Sequence, residues 1–177
     1  METGDVRELL IDAGIELLER GDDVGLRAIT RQAGVSHGAP RRHFPTHAAL
    51  LAAMSKRGFA DLAARLDTST GIEQLARRYV TFAIERPAMF GLMFRHDLLA
   101  GSGENLRAVS RPLFDRLVDI AGSAALPLWA NVHGIATLAA NRTFDVVGGA
   151  DVDVLVREAV ARFQSETSPC TFDARGR

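Results

Sequence analysis

The chain has 177 residues, 47% hydrophobic and 24% charged, with 21 basic side chains against 22 acidic ones and a net charge of −1. These values exclude wholesale disorder, a collagen-like fibre and a disulfide scaffold, and they leave room for one domain, or a small domain joined to a medium one, with a buried core. A net charge near zero also argues against a nucleic-acid partner, but only if the charges are evenly spread.

The periodicity is helical throughout, and it predicts an all-α fold of about nine helices. Val6, Leu9, Leu10, Ala13, Leu17 and Leu18 fall at the three-and-four spacing of an amphipathic helix, with Thr3 or Asp5 as its cap and Gly21 as its stop. A short helix follows over Leu26–Ala33, with Gly34 in the left-handed position beyond its end. Ser36 is placed to cap a third helix reaching about Phe44, which Pro45 ends. Thr46 caps a long fourth helix whose apolar set is Leu50, Leu51, Met54, Phe59, Leu62 and Leu66. After a polar break at Asp67–Gly71, helices are expected over Ile72–Ile84, Ala88–Phe94 and Asn105–Ile120, with a loop at Leu98–Glu104. Pro127 suits the first position of the next helix, which runs to about Asn141. Asp145–Ala150 reads as a loop, and Asp151 or Asp153 starts the last helix. The first three helices are too short to bury themselves alone, so two lobes sharing the fourth helix are expected. The boundaries are 1–47 for a helix-turn-helix domain, 48–167 for a helical ligand-binding and dimerisation domain, and 168–177 for a flexible tail.

The one cysteine, Cys170, excludes an internal disulfide, so a reducing cytoplasm is the expected compartment. No apolar run approaches the ~20 residues of a membrane span, and METGDVRELL has no signal-peptide pattern. Only Lys56 is a lysine, which reads as the mark of a GC-rich genome rather than as chemistry.

The charges are not evenly spread. Residues 1–23 hold eight acids and two arginines, whereas 24–60 hold no acid at all. That window contains Arg27, Arg31, Arg41, Arg42, Lys56 and Arg57, so it sums to +6 and the remainder to −7. A chance gap in acids is one account. The other is the electrostatic footprint of phosphate binding. The stretch LRAITRQAGVSHGAPRRHFPTHAAL (Leu26–Leu50) has helix-turn-helix spacing, with Ile29, Ala33 and Val35 inward and His37, Arg41, Arg42 and His43 outward.

Four blocks in this region, Leu26-Arg27-Ala28-Ile29, Ala33-Gly34-Val35-Ser36, His43-Phe44-Pro45 and Leu50-Leu51, occur in the order and spacing of TetR/AcrR-type transcriptional regulators, whose DNA-binding domain residues 5–66 resemble. Trp129–Gly134 (WANVHG) is similar to the Trp-His-Gly signature in the C-terminal domain of one branch, as is Arg86-Pro87-Ala88-Met89-Phe90. The resemblance implies a homodimer on a double-stranded operator with two-fold symmetry, released when a small molecule fills the C-terminal lobe. It places Arg27 at a family position that contacts DNA from the second helix. Arg41 stands where the family commonly has an aromatic, and His47 where it commonly has lysine.

Chemistry then assigns expected roles. Arg41 or Arg42 reads guanine in the major groove, worth roughly 1–3 kcal/mol of discrimination. His37, Gly38 and Ala39 lie at the helix start, nearest the base edges, with the Ala39 methyl available to a thymine methyl. Ser36, His43 and His47 hold phosphates. For each arginine the competing reading is a solvated surface charge.

In the C-terminal lobe Tyr79, Phe82, Phe90, Phe94, Phe114, Trp129 and Phe144 cluster, with Met89 and Met93 among them. A plain helical core is one reading. An incompletely filled core that takes an apolar or aromatic ligand is the other. The candidate lining is Tyr79, Phe82, Met89, Phe90, Met93, Phe94, Phe114, Trp129 and His133, the last either a polar anchor or a satisfied core histidine. Ala130, Gly134 and Thr137 form a small-residue strip suited to a dimer interface or to packing within the chain.

No catalytic motif emerges. Gly101-Ser102-Gly103 is not a nucleophile elbow, Lys56 follows no glycine-rich phosphate loop, His96-Asp97 are adjacent, and no metal-ligand cluster or cofactor pattern is present. The expected function is a non-enzymatic, ligand-responsive repressor. A small helical enzyme using His133 or His96, or a helical interaction module without a DNA role, are the alternatives.

Overall fold

The computed structural model describes residues 3–95, 98 and 105–167. The expected loop at 98–104 beyond Leu98, the His96-Asp97 pair, Gly101-Ser102-Gly103, the 168–177 tail and Cys170 lie outside the described residues. All nine expected helices are present among the described residues, with no strand. They are α1 (Thr3–Arg20), α2 (Leu26–Gln32), α3 (Ala39–His43), α4 (His47–Asp67), α5 (Ile72–Glu85), α6 (Pro87–Met93), α7 (Arg107–Ala121) and α8 (Ala125–Ala140). Then come a one-turn α9 (Thr143–Val146) and α10 (Val152–Thr167). Among the described residues no helix is long and apolar enough to cross a membrane.

The caps explain most boundaries. Gly34, at φ +65, closes α2. The amide of Gly34 bonds the Arg31 carbonyl and that of Val35 the Thr30 carbonyl, a paired closure that needs a left-handed residue. The Thr46 hydroxyl accepts the Ala49 amide at 3.1 Å to start α4, and Asp151 Oδ1 accepts the Val154 amide at 3.1 Å to start α10.

Three boundaries differ from expectation, the simplest at Pro127, which lies third in α8 rather than first because a 3-10 turn over Gly122–Ala124 runs straight into a helix starting at Ala125. Ser36 does not cap α3. Its carbonyl accepts the Ala39 amide in a preceding turn, and the helix begins at Ala39 behind Gly38. Pro40 is the reason: with no amide hydrogen it sits without cost only in a helix's first turn, which moves the start downstream of Ser36. The loop expected at Asp145–Ala150 begins late, because Thr143–Val146 forms the single turn of α9. Arg142 at φ 55 ends the run of α8, and its guanidinium holds Asp145 at 2.9 Å. No glycine or proline marks that corner in the sequence.

Packing joins the lobes through α4, whose Leu50, Met54, Phe59, Leu62 and Leu66 are buried in a core shared by α1, α2, α5, α6 and α8. Gly58 makes the α4–α6 approach possible. A Cβ there would lie 2.6 Å from Met89 Sδ and 2.8 Å from Met93 Sδ. Salt bridges tie the same helices: Arg57 of α4 pairs with Glu8 and Asp12 of α1. Arg86, between α5 and α6, reaches Glu19 of α1 and, at 2.7 Å, Asp61 of α4.

Candidate DNA interface and ligand cavity

Helices α2 and α3, joined by the turn around Gly34, present an open cleft of about 810 Å3 lined by Leu26, Arg27, Thr30, His37, Gly38, Pro40 and Arg41. Arg27 of α2 and Arg41 of α3 thus face one cleft, and Ile29, fully buried behind it, fixes α2 on the core. An adjoining hollow of about 440 Å3 adds Arg31, Gly34 and Val35. Arg27, Arg31, Arg41 and Arg42 are all exposed, and among the described residues none of them forms an ion pair. Arg31 joins the face although its sequence context gives it no distinct role. Ser36, His37 and Gly38 are exposed, and His43 is half-buried.

Two candidates sit differently. Ala39 is 9% exposed, so the methyl offered to a thymine is turned into protein. α3 is held by its apolar Ala39-Pro40 side, and Ala39 shares it. His47 directs Nε2 to the Val24 carbonyl at 2.8 Å, tying the start of α4 to the segment before α2. With Nε2 donating, the neutral ring keeps only an acceptor at Nδ1, and it becomes a phosphate donor there only when protonated. Arg7 lies 5.1 Å from the Phe44 ring, covering the end of α3 from α1.

The other lobe holds a cavity of about 370 Å3 among α4, α5, α7 and α8. Of the candidate ligand residues, Tyr79, Phe94, Phe114 and Trp129 line it. Phe82, Met89 and Met93 do not. They are fully buried core, the two methionines wedged against Gly58. Phe90 and His133 stand behind the lining. His133 Nδ1 bonds the Tyr79 hydroxyl at 2.8 Å. Its ring lies among Phe94 at 4.6 Å, Trp129 at 5.0 Å and Phe90 at 5.3 Å. Burial lowers the His133 pKa below its ordinary value and raises that of Tyr79, so both are neutral near pH 7.

The lining that sequence reasoning missed is Phe59, Leu62 and Leu66 of α4, Leu75 of α5, and Ser110, Arg111, Leu113 and Leu117 of α7. In the sequence the α4 residues read only as the apolar side of a strut. Leu113 and Leu117, one turn apart beside Phe114, carried a signal for an apolar α7 face.

A short helix-turn-helix thus rests on a larger helical body that holds an apolar cavity. The model of the family described as "Tetracyclin repressor-like, C-terminal domain" matches residues 72–163. The chain belongs to this TetR-like family, which makes it a transcriptional regulator. A protein of unknown function from Rhodococcus sp. RHA1 is 31% identical, with 91% of this chain and 94% of that one covered at a TM-score of 0.74. A tetR-family transcriptional regulator from Streptomyces coelicolor is 20% identical, covering 93% and 81% at a TM-score of 0.68. The multidrug binding protein EbrR, solved with imidazole, is 22% identical, covering 89% and 93% at a TM-score of 0.61. The last two likenesses are of fold. No curated protein sequence matches the chain.

Proposed function

We propose that this protein is a ligand-responsive repressor that binds a palindromic operator as a homodimer and leaves it when a small apolar or aromatic effector occupies the helical lobe. The observation that carries the reading is the set of Arg27, Arg31, Arg41 and Arg42, exposed on α2 and α3 without an acidic partner among the described residues. Clustered guanidiniums repel one another, and phosphates relieve that repulsion with release of counterions. Arg41 and Arg42 approach the major groove, His37 and Gly38 lie at the base edges, and Ser36 and His43 hold phosphates. Residues 1–47 serve DNA and 48–167 serve effector and dimer.

Helix α8 supports the dimer. It has no Asp, Glu, Lys or Arg from Ala125 to Ala140, yet Leu126 and Leu138 are 59% and 42% exposed. With Ala130, Gly134 and Thr137 between them, this face suits close packing with α10 and the same pair of a second subunit. Release is a population shift: effector favours an arrangement in which α4 holds the two recognition helices at the wrong separation.

A salt titration of binding to duplex DNA from the region upstream of the gene tests the reading. Affinity falls steeply with salt, and the combined Arg41→Ala and Arg42→Ala changes weaken binding and relax the preference for that duplex over unrelated DNA. Absent or salt-independent binding sinks the repressor reading in favour of a helical enzyme or interaction module. Light scattering at micromolar concentration that returns one subunit mass sinks the dimer.

A further inference from the structure

We propose that the cavity takes a flat apolar acid, its hydrocarbon inside and its carboxylate at the mouth against Arg111 and Ser110. This rests on reading the cavity as the effector site. At about 370 Å3 the space is near the small end of the ~300–1,000 Å3 usual for ligand pockets, so it suits roughly one or two fused rings. The Phe114 and Trp129 rings meet at 88° with centroids 6.2 Å apart, forming a corner into which a flat ring fits.

The charge of the ligand follows from the lining. Among the described residues lining the cavity there is no Asp or Glu. Among those lining residues an organic cation finds no carboxylate to replace its lost hydration. The one charged side chain among those residues is Arg111. Its Nε faces Asp115 Oδ2 at a long 3.5 Å, and among the described residues its guanidinium makes no hydrogen bond. That free edge of the guanidinium matches both oxygens of a carboxylate, with the hydroxyl of neighbouring Ser110 as a further donor. The Arg111 side chain is 80% exposed, so the acid head stays at the wet mouth and avoids the cost of a buried anion. The nearby Asp115 opposes any anion and so supplies an independent handle.

Calorimetric titration of the full chain with naphthoate, naphthylmethanol and naphthylmethylammonium tests this, with Trp129, the chain's one tryptophan, reporting occupancy by its emission. Naphthoate binds about tenfold more tightly than the alcohol, and the ammonium binds most weakly. Arg111→Gln brings naphthoate down to the alcohol, and Asp115→Asn tightens naphthoate by about threefold. Leu113→Trp, or the gentler Leu113→Phe, fills the cavity and blocks all three probes. Ammonium binding as tight as naphthoate, or a naphthoate preference that survives Arg111→Gln, overturns the acid while the effector site stands. If no probe binds, or all three still bind to both filled variants, the effector-site reading itself falls and the proposal with it.

Discussion

On α2 and α3, Arg27, Arg31, Arg41 and Arg42 have no acidic partner among the described residues, whereas Arg65, Arg77, Arg86 and Arg116 of the larger lobe close on Glu85, on Glu73 and Asp153, on Glu19 and Asp61, and on Asp67. The same residue type is left open as a cluster on α2 and α3 and pinned at these four positions, although Arg107 and Arg157 of the larger lobe are also without an acidic partner among the described residues. Arginines that hold a fold together are saturated by their own chain. Arginines left unsaturated in a cluster keep their donors for another molecule. The +6 of residues 24–60 is therefore less uniform than its sum. Arg57 belongs with the pinned set through Glu8 and Asp12, and the open charge lies on α2 and α3.

Substitutions at buried, cavity-lining and surface sites differ in expected effect. Phe82→Ala, at a fully buried site, lowers stability by about 3–5 kcal/mol in denaturant melts. Leu113→Ala, on the cavity wall, costs much less, because its side chain already borders open space. Equal losses would return Phe82 to the cavity wall. Arg86→Met removes a guanidinium that is 17% exposed and joins α1 to α4, and it costs about 2 kcal/mol, between the surface and buried limits. Thr46→Ala deletes the α4 cap for about 1 kcal/mol.

The His133 effect is smaller and depends on pH. Its folded pKa lies below the ordinary 6.5, so below that pH the unfolded chain takes the proton first. The His133 contribution is complete above pH 6.5 and declines as pH falls, until the folded ring is protonated as well. Melting temperatures of the wild type and His133→Gln should therefore converge on acidification from pH 7. Parallel curves would show that the ring does not titrate differently on folding. Smallest of all, Arg41→Ala with Arg42→Ala shifts stability by no more than about 0.5 kcal/mol while weakening DNA binding. A large stability loss there would put those arginines in the pinned class.

The helices and the exposed arginine cluster of α2 and α3 were legible because their signals are local. Apolar spacing, the Thr46 and Asp151 caps, and Gly34 each act within a few residues of chain, and the acid-free window is contiguous. The departures came from constraints that span elements or lack a marker. Pro40 overrode Ser36 at the start of α3, and Arg142 turned a corner without glycine. His47 has the chemistry of a phosphate ligand, but the fold places the Val24 carbonyl against its ring.

The cavity shows the division most clearly. Periodicity and composition alone make this lobe helical and rich in aromatic side chains. Which of those side chains face empty space was decided only by how α4, α5, α7 and α8 meet. Phe82 and Phe94 have the same chemistry, yet one is core and the other cavity wall. Periodicity assigns a side chain to the buried side of its own helix, but a void is the shortfall left when several helices pack together, and no single helix encodes it.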